Sequence, residues 1–268
     1  MIKNLRANKI VFILTGILAL IAATIGVLRP EMYDPVIVFE RVIPGVFTQD
    51  LLVLVGALIL IALSLSMEGR DIRKAIVIFG VLGFFFYAYG IYAIEQVYTL
   101  LYPLYLTILA FSFYGLIYGL GSVDQAEVER LELPGWIRTA AAGYGIFIAV
   151  MFNFIWFSQL IPYLQSANRI ENLFSVYIID LVFIMPGFVL AAVLALRRRA
   201  MGIIGLPALF ILGVGILSPL ALAELIKPLR YDAPMVMGEF TLYAVLSIAF
   251  LTFSVVYLAA LREPEALS

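Results

Sequence analysis

Five carboxylates sit at or inside apolar stretches of this chain: Asp50, Glu95, Asp180, Glu224 and Glu239. An ionised acid in hydrocarbon costs about 2.5 to 3.5 kcal/mol at mid-span and less near the interface, so one retained there points to an ion path, a solute site or a proton relay unless a plainer role accounts for it. Asp50 and Glu239 stand where apolar runs begin, and a helix cap or the positive end of a helix dipole would accommodate them. Glu224 has Lys227 three residues on, the spacing of a helical ion pair at the surface. Glu95 ends its run with no basic neighbour in sequence. Asp180 lies roughly 10 Å inside its run at 1.5 Å per residue, too deep for a cap. It therefore leads the candidates for a substrate or ion site, with Asp50, Glu95 and Glu224 as supports. The structural alternative for Asp180 is a hydrogen bond to a neighbouring helix that only holds a bundle together.

Six residues after Asp180 comes Pro186-Gly187. Pro186 has no N–H for the carbonyl of Val182, which favours a kink. The next run carries Pro207, Gly213, Gly215 and Pro219. Pro186 and Pro219 are the helix-kink candidates, and bent or broken helices beside a buried acid are a sequence pointer to a transporter's binding site.

The chain has no histidine and no cysteine. Haem with His or Cys ligands, thiolate clusters, His-bound zinc, Ser-His-Asp and Cys-His pairs and thiol redox chemistry are all excluded. No metal site and no cofactor is expected. The aspartate-rich pair of prenyl transferases, the clustered acids of phosphatidyl transferases and the Gly-x-Gly-Asp of intramembrane aspartyl proteases are absent too, so the residues favour a non-enzyme. A net charge of -1 gives no argument for nucleic acid.

The elements that must position these acids are membrane helices. Hydrophobic residues make up 64% of the chain and charged ones 13%, and mean hydropathy is +1.09, a composition that suits lipid better than water. Apolar runs predict eight spans, near residues 10–28, 49–67, 75–94, 100–120, 136–161, 174–196, 202–226 and 239–261. The expectation is an all-α polytopic membrane bundle, one integral membrane domain over residues 1–268. Residues 95–99 are short enough to make a tight helical hairpin of the third and fourth spans. The basic start with Lys3, Arg6 and Lys9 looks like a signal peptide, but the apolar run is too long and lacks a small-residue cleavage site, so it is expected to stay as a helix.

Lys3, Arg6, Lys9, Arg70, Arg73, Lys74, Arg130, Arg138, Arg197, Arg198, Arg199 and Arg262 fall on one side of these spans, against Arg29, Arg41, Arg169, Lys227 and Arg230 on the other. The positive-inside rule then predicts a cell-membrane protein with both termini in the cytoplasm.

Asp50-Leu51 and Asp180-Leu181 are 130 residues apart, Glu95 and Glu224 are 129 apart, and Gly56 and Pro186 each follow their aspartate by six. This spacing predicts a 4+4 parallel internal repeat, with halves 1–130 and 131–268, that brings the four acids toward one outward-facing cavity. Aromatics from Phe84 to Tyr92 and at Tyr98, Tyr102 and Tyr105 read as an interfacial belt and packing, or as an aromatic-lined pocket beside Glu95. Residues 29–48, with Pro30, Pro35 and Pro44, form a connector or a lid over the acids.

Gln49-Asp50-Leu51, the Tyr87 to Tyr92 stretch, and Tyr177 to Pro186 with its Asp-Leu together resemble a group of prokaryotic multi-pass membrane proteins of uncharacterised activity. The resemblance implies a shared bundle and supplies no chemistry. The function expected from the residues is translocation of a small solute or ion past acids in the outer half of the bilayer. A lipid-binding or lipid-modifying protein and a non-catalytic accessory subunit are the alternatives. Expected partners are membrane lipids, the ion or solute, and a membrane-protein partner or second copy, with no nucleic acid.

Overall fold

The computed structural model describes residues 1–37, 42–166 and 174–263. Eight helices in it are long and apolar enough to cross a bilayer: α1 (Leu5–Leu28), α2 (Ile43–Ser66), α3 (Ile72–Ile94), α4 (Tyr102–Gly121), α5 (Gly135–Ser166), α6 (Ser175–Leu196), α7 (Ala200–Arg230) and α8 (Met237–Ala260). Among the described residues the only β-type pairings are two isolated bridges. The chain is an all-α, multi-pass integral membrane protein. Backbone groups in lipid have to be satisfied within the segment, and helices do this.

The most buried span is α3, which packs along α7 at the centre of the bundle. Glycine permits their approach. A Cβ on Gly80 would meet Ile211 and the carbonyl of Ala208 at 2.5 and 2.9 Å, and one on Gly83 would meet Leu212 at 2.8 Å. Around this pair, α1 packs on α2, α3 on α4, α5 on α6 and α7 on α8, while α2 also packs on α7 and α6 on α3. Gly119 of α4 lies against Phe79 and Phe12, and Gly145 of α5 lies against Leu206 and Phe188, so both glycines serve helix packing.

Three local expectations change. The second span begins at Ile43 and not near residue 49, because Pro44 opens the helix and its apolar face continues from there. Asp50 is therefore two turns inside α2 and does not cap it. Second, α7 runs unbroken from Ala200 to Arg230 through Pro207 and Pro219. Both prolines are buried in the bundle, where packing holds the turns that lose a hydrogen bond. Third, the break in α6 is a widened turn. Residues Asp180–Ile184 are π-helical and the Met185 N–H reaches back to the Asp180 carbonyl, so the helix accommodates Pro186 by taking in one more residue per turn. Part of the 29–48 connector, together with Arg41, Arg169 and Glu265, lies outside the described residues.

The face carrying both termini is tied by polar contacts. The N-terminal ammonium meets Glu127, Lys3 meets Asp124 at 3.1 Å, and Arg199 approaches Glu129 at 3.6 Å. The backbones of Glu132 and Arg262 exchange hydrogen bonds of 2.9 and 3.0 Å. The Lys74 ammonium and the Glu68 N–H hold the Asp71 carboxyl below its ordinary pKa, and Lys3 with the Glu127 N–H does the same for Asp124. Depressed carboxyls stabilise the fold above their unfolded pKa of about 3.9, and that contribution disappears as pH falls through the lower folded value. Acidification from pH about 7 to about 3 should therefore lower the thermal midpoint. Both groups are partly exposed, so the share removed by Asp71→Asn with Asp124→Asn should be small and should shrink in high salt.

Candidate functional site

The start of α6 shows how one acid came to be where its own helix disfavours it. Glu95 follows the C-terminal end of α3, which repels a negative charge. Its Oε1, however, accepts a 2.8 Å hydrogen bond from the N–H of Ser175, the first residue of α6, so it sits at the positive end of a different helix. Glu224 near the end of α7 does the same for α8, accepting from the Val236 N–H at 2.8 Å while its other oxygen takes the Lys227 ammonium. The Glu224–Lys227 pair is present at its expected i+3 spacing. It is buried and not superficial, since Glu224 is 3% exposed. Glu239 lies in the first turn of α8, and its carboxylate is 4.0 Å from Lys227.

Asp180 opens the π-helical turn of α6 and is 5% exposed. Its Oδ2 accepts a 2.8 Å hydrogen bond from the indole of Trp156 on α5, and the Tyr87 hydroxyl of α3 is directed at the same carboxyl. All these donors are neutral. Among the described residues no Lys or Arg pairs with Asp180.

A cavity of about 680 Å³ opens beside it. Its lining on α7 extends from Lys227 to Leu212, which is about 22 Å of helix at 1.5 Å per residue. The cavity therefore descends from the face opposite the termini past the middle of the bundle. Glu95, Glu224, Glu239 and Lys227 stand at its polar end, Asp180 part-way down, and Phe188, Leu212 and Phe250 at the deep end. Val36 and Ile37 of the long connector also line it.

Asp50 does not line this cavity. It is 2% exposed and enclosed by tyrosines: Tyr33 donates to Oδ2 at 2.6 Å, Tyr92 to Oδ1 at 3.2 Å, and the Tyr33 and Tyr105 hydroxyls lie 3.2 Å apart. Thr99 donates to the Tyr105 hydroxyl at 3.3 Å. Burial holds the Tyr33 phenol well above its ordinary pKa, so it remains a donor. Tyr92 is the wall between the two regions, since it binds Asp50 and also lines the cavity. The aromatics beside Glu95 divide accordingly: Tyr89, Tyr92 and Tyr105 pack ring against ring at centroid distances of 5.0 to 5.9 Å, and only Tyr87 and Tyr92 of this group reach the cavity.

Three of the four acids singled out by sequence thus share one cavity, while Asp50 occupies a sealed network behind it. Pro219 lines the cavity and its carbonyl accepts a 2.8 Å hydrogen bond from Thr48 of α2; Pro186 follows the π-turn that carries Asp180. Trp156 and Tyr33 were not anticipated. Trp156 comes 24 residues before Asp180 on another helix, and no local spacing links the two. Among the described residues no group of three or more acids gathers closely enough to hold a metal ion. No protein-family model, curated protein or solved structure matches the chain.

Proposed function

We propose that the protein binds a positively charged solute in this cavity and moves it across the bilayer. The observation that carries the reading is Asp180, a buried carboxyl with only neutral donors among the described residues, lining a cavity that is polar toward one face. A bound cation would supply the missing countercharge. The excess of Lys and Arg on the face carrying the termini supports an orientation with both termini cytoplasmic, so that the polar end of the cavity faces outward. The π-turn at Asp180 is the place where α6 would yield as the site changes access.

We also propose a two-half origin for this arrangement. Helix pairings of the first four spans recur in the last four, and α2 on α7 is matched by α6 on α3. Gly26 lies against Asp50, and 130 residues on Trp156 binds Asp180. In this reading one copy of the aspartate serves the solute and the other holds the bundle.

The test is flux of labelled choline and tetraphenylphosphonium into proteoliposomes. The proposal requires saturable uptake above protein-free vesicles that falls in Asp180→Asn. Uptake of both probes at the protein-free rate would overturn it.

A further inference from the structure

The cavity changes character along its length, and that gradient identifies a class of ligand. At its polar end the charges are already engaged: Glu95 with the start of α6, Glu224 with Lys227 and the start of α8, and Lys227 with Glu224 and Glu239. Asp180 lies below them, itself buried, and among the described residues has no cation beside it. Beyond Asp180 the α6 wall continues for eight residues, about 12 Å, to Phe188, facing Leu212 and Phe250, and this part of the lining is apolar.

We infer that the ligand is a small cation with an apolar body, of the substituted-ammonium class, its charge at Asp180 and its hydrocarbon against Phe188, Leu212 and Phe250. The inference rests on the proposed reading of the cavity as a solute site.

Two alternatives fit the chemistry less well. A bare calcium or magnesium ion wants a shell of six or more oxygen ligands. Around Asp180 the partners are one carboxyl, one phenol and an indole N–H, and the last cannot coordinate a cation. An organic ammonium asks for less, namely one carboxylate and an apolar surround, and Trp156 and Ile184 line the cavity with the acid. An anionic amphiphile would meet Asp180 with like charge and, among the described lining residues, would find the one lysine already paired. The volume of about 680 Å³ falls within the range of sites for one drug-sized molecule.

Trp156 provides the readout. The chain has 2 tryptophans, and Trp136, at the opposite end of α5, is 71% exposed. Trp136→Phe leaves Trp156 as the sole indole. The full chain carrying that change, in nanodiscs of zwitterionic lipid, is titrated with decyltrimethylammonium, tetramethylammonium and decyl sulfate while Trp156 emission is followed. Decyltrimethylammonium should half-saturate the signal at a concentration at least about tenfold below either of the others, which is the scale of one desolvated charge pair, made without a hydrogen bond, or of about two buried methylenes. Asp180→Asn should raise that concentration about tenfold or more. Ile216→Phe, which fills part of the apolar lining, should weaken decyltrimethylammonium and leave tetramethylammonium unchanged.

Equal binding of decyl sulfate would overturn the cation assignment. Equal binding of tetramethylammonium would overturn the apolar body while leaving the cation site of the proposed function in place. A response to neither cation would overturn both. Should Asp180→Asn fail to fold, Ile216→Phe and the ligand comparison on the unsubstituted site still decide.

Discussion

Asp50→Leu is expected to destabilise the bundle by about 1 to 3 kcal/mol, because the buried Tyr92 hydroxyl loses its acceptor, while that of Tyr33 keeps the Tyr105 hydroxyl as a partner. Asp50→Asn keeps one acceptor oxygen and the side-chain shape, so its cost should be far smaller. The same network explains why α1 has a glycine at position 26. A Cβ there would fall on the Asp50 carboxylate and come within 2.6 Å of the Tyr33 hydroxyl, so Gly26→Ala should also destabilise. The two effects are coupled. In an Asp50→Ala background the added methyl no longer meets a carboxylate, and the cost of Gly26→Ala should shrink by more than the few tenths of a kcal/mol expected of independent sites. Thermal midpoints of the four proteins in detergent measure this. Strict additivity would mean that Asp50 is not held against α1 as described.

Asp180→Asn is expected to behave in the opposite way, with a small effect on stability and a large one on function. The amide oxygen still accepts from the Trp156 indole, so the thermal midpoint should stay close to that of the parent. Removing the charge should reduce cation flux about tenfold or more, the equivalent of about 1.4 kcal/mol or above in binding. Asp180→Leu separates this from the purely structural role, since it removes both charge and acceptor and should lower stability as well as flux. If Asp180 only tied α6 to α5, flux would follow the stability order of the variants, with Asn close to the parent.

The eight spans were legible in the sequence because twenty-residue apolar runs are a strong signal in a chain this hydrophobic. Helix starts were less so: the start of α2 was missed because residues 43–48 mix Pro, Gly and Thr with the apolar residues, and that mixture reads as loop until Pro44 is seen as a first-turn residue. Of the site, Asp180 was visible from its depth alone. The partners that give it meaning, Trp156 and Tyr87, come from α5 and α3, and side chains brought together by packing leave no mark in local spacing. Glu95 illustrates the same limit. Its own helix offers it nothing, and the N–H it accepts belongs to Ser175, 80 residues away. Asp50 drew a capping role and a place in the shared cavity, yet three tyrosines, one of them from a short 3-10 turn at Pro30–Tyr33, close over it. The prolines of α7 mark another boundary of sequence reasoning: their cost is local, but whether the helix breaks depends on packing that only the assembled bundle supplies.

The absence of cysteine makes one measurement especially direct, because an introduced thiol is the only one in the chain. Single variants Glu95→Cys, Glu224→Cys, Asp180→Cys and Asp50→Cys are placed in sealed vesicles and treated with a membrane-impermeant, cationic methanethiosulfonate from each side. The cavity described here predicts modification at positions 95, 224 and 180 from the side opposite the termini, with position 180 slowest of the three, and none at position 50 while the protein is folded. Reaction at position 50 as fast as at 95, or no reaction at 180 from either side, would contradict a cavity that reaches Asp180 and stops short of Asp50.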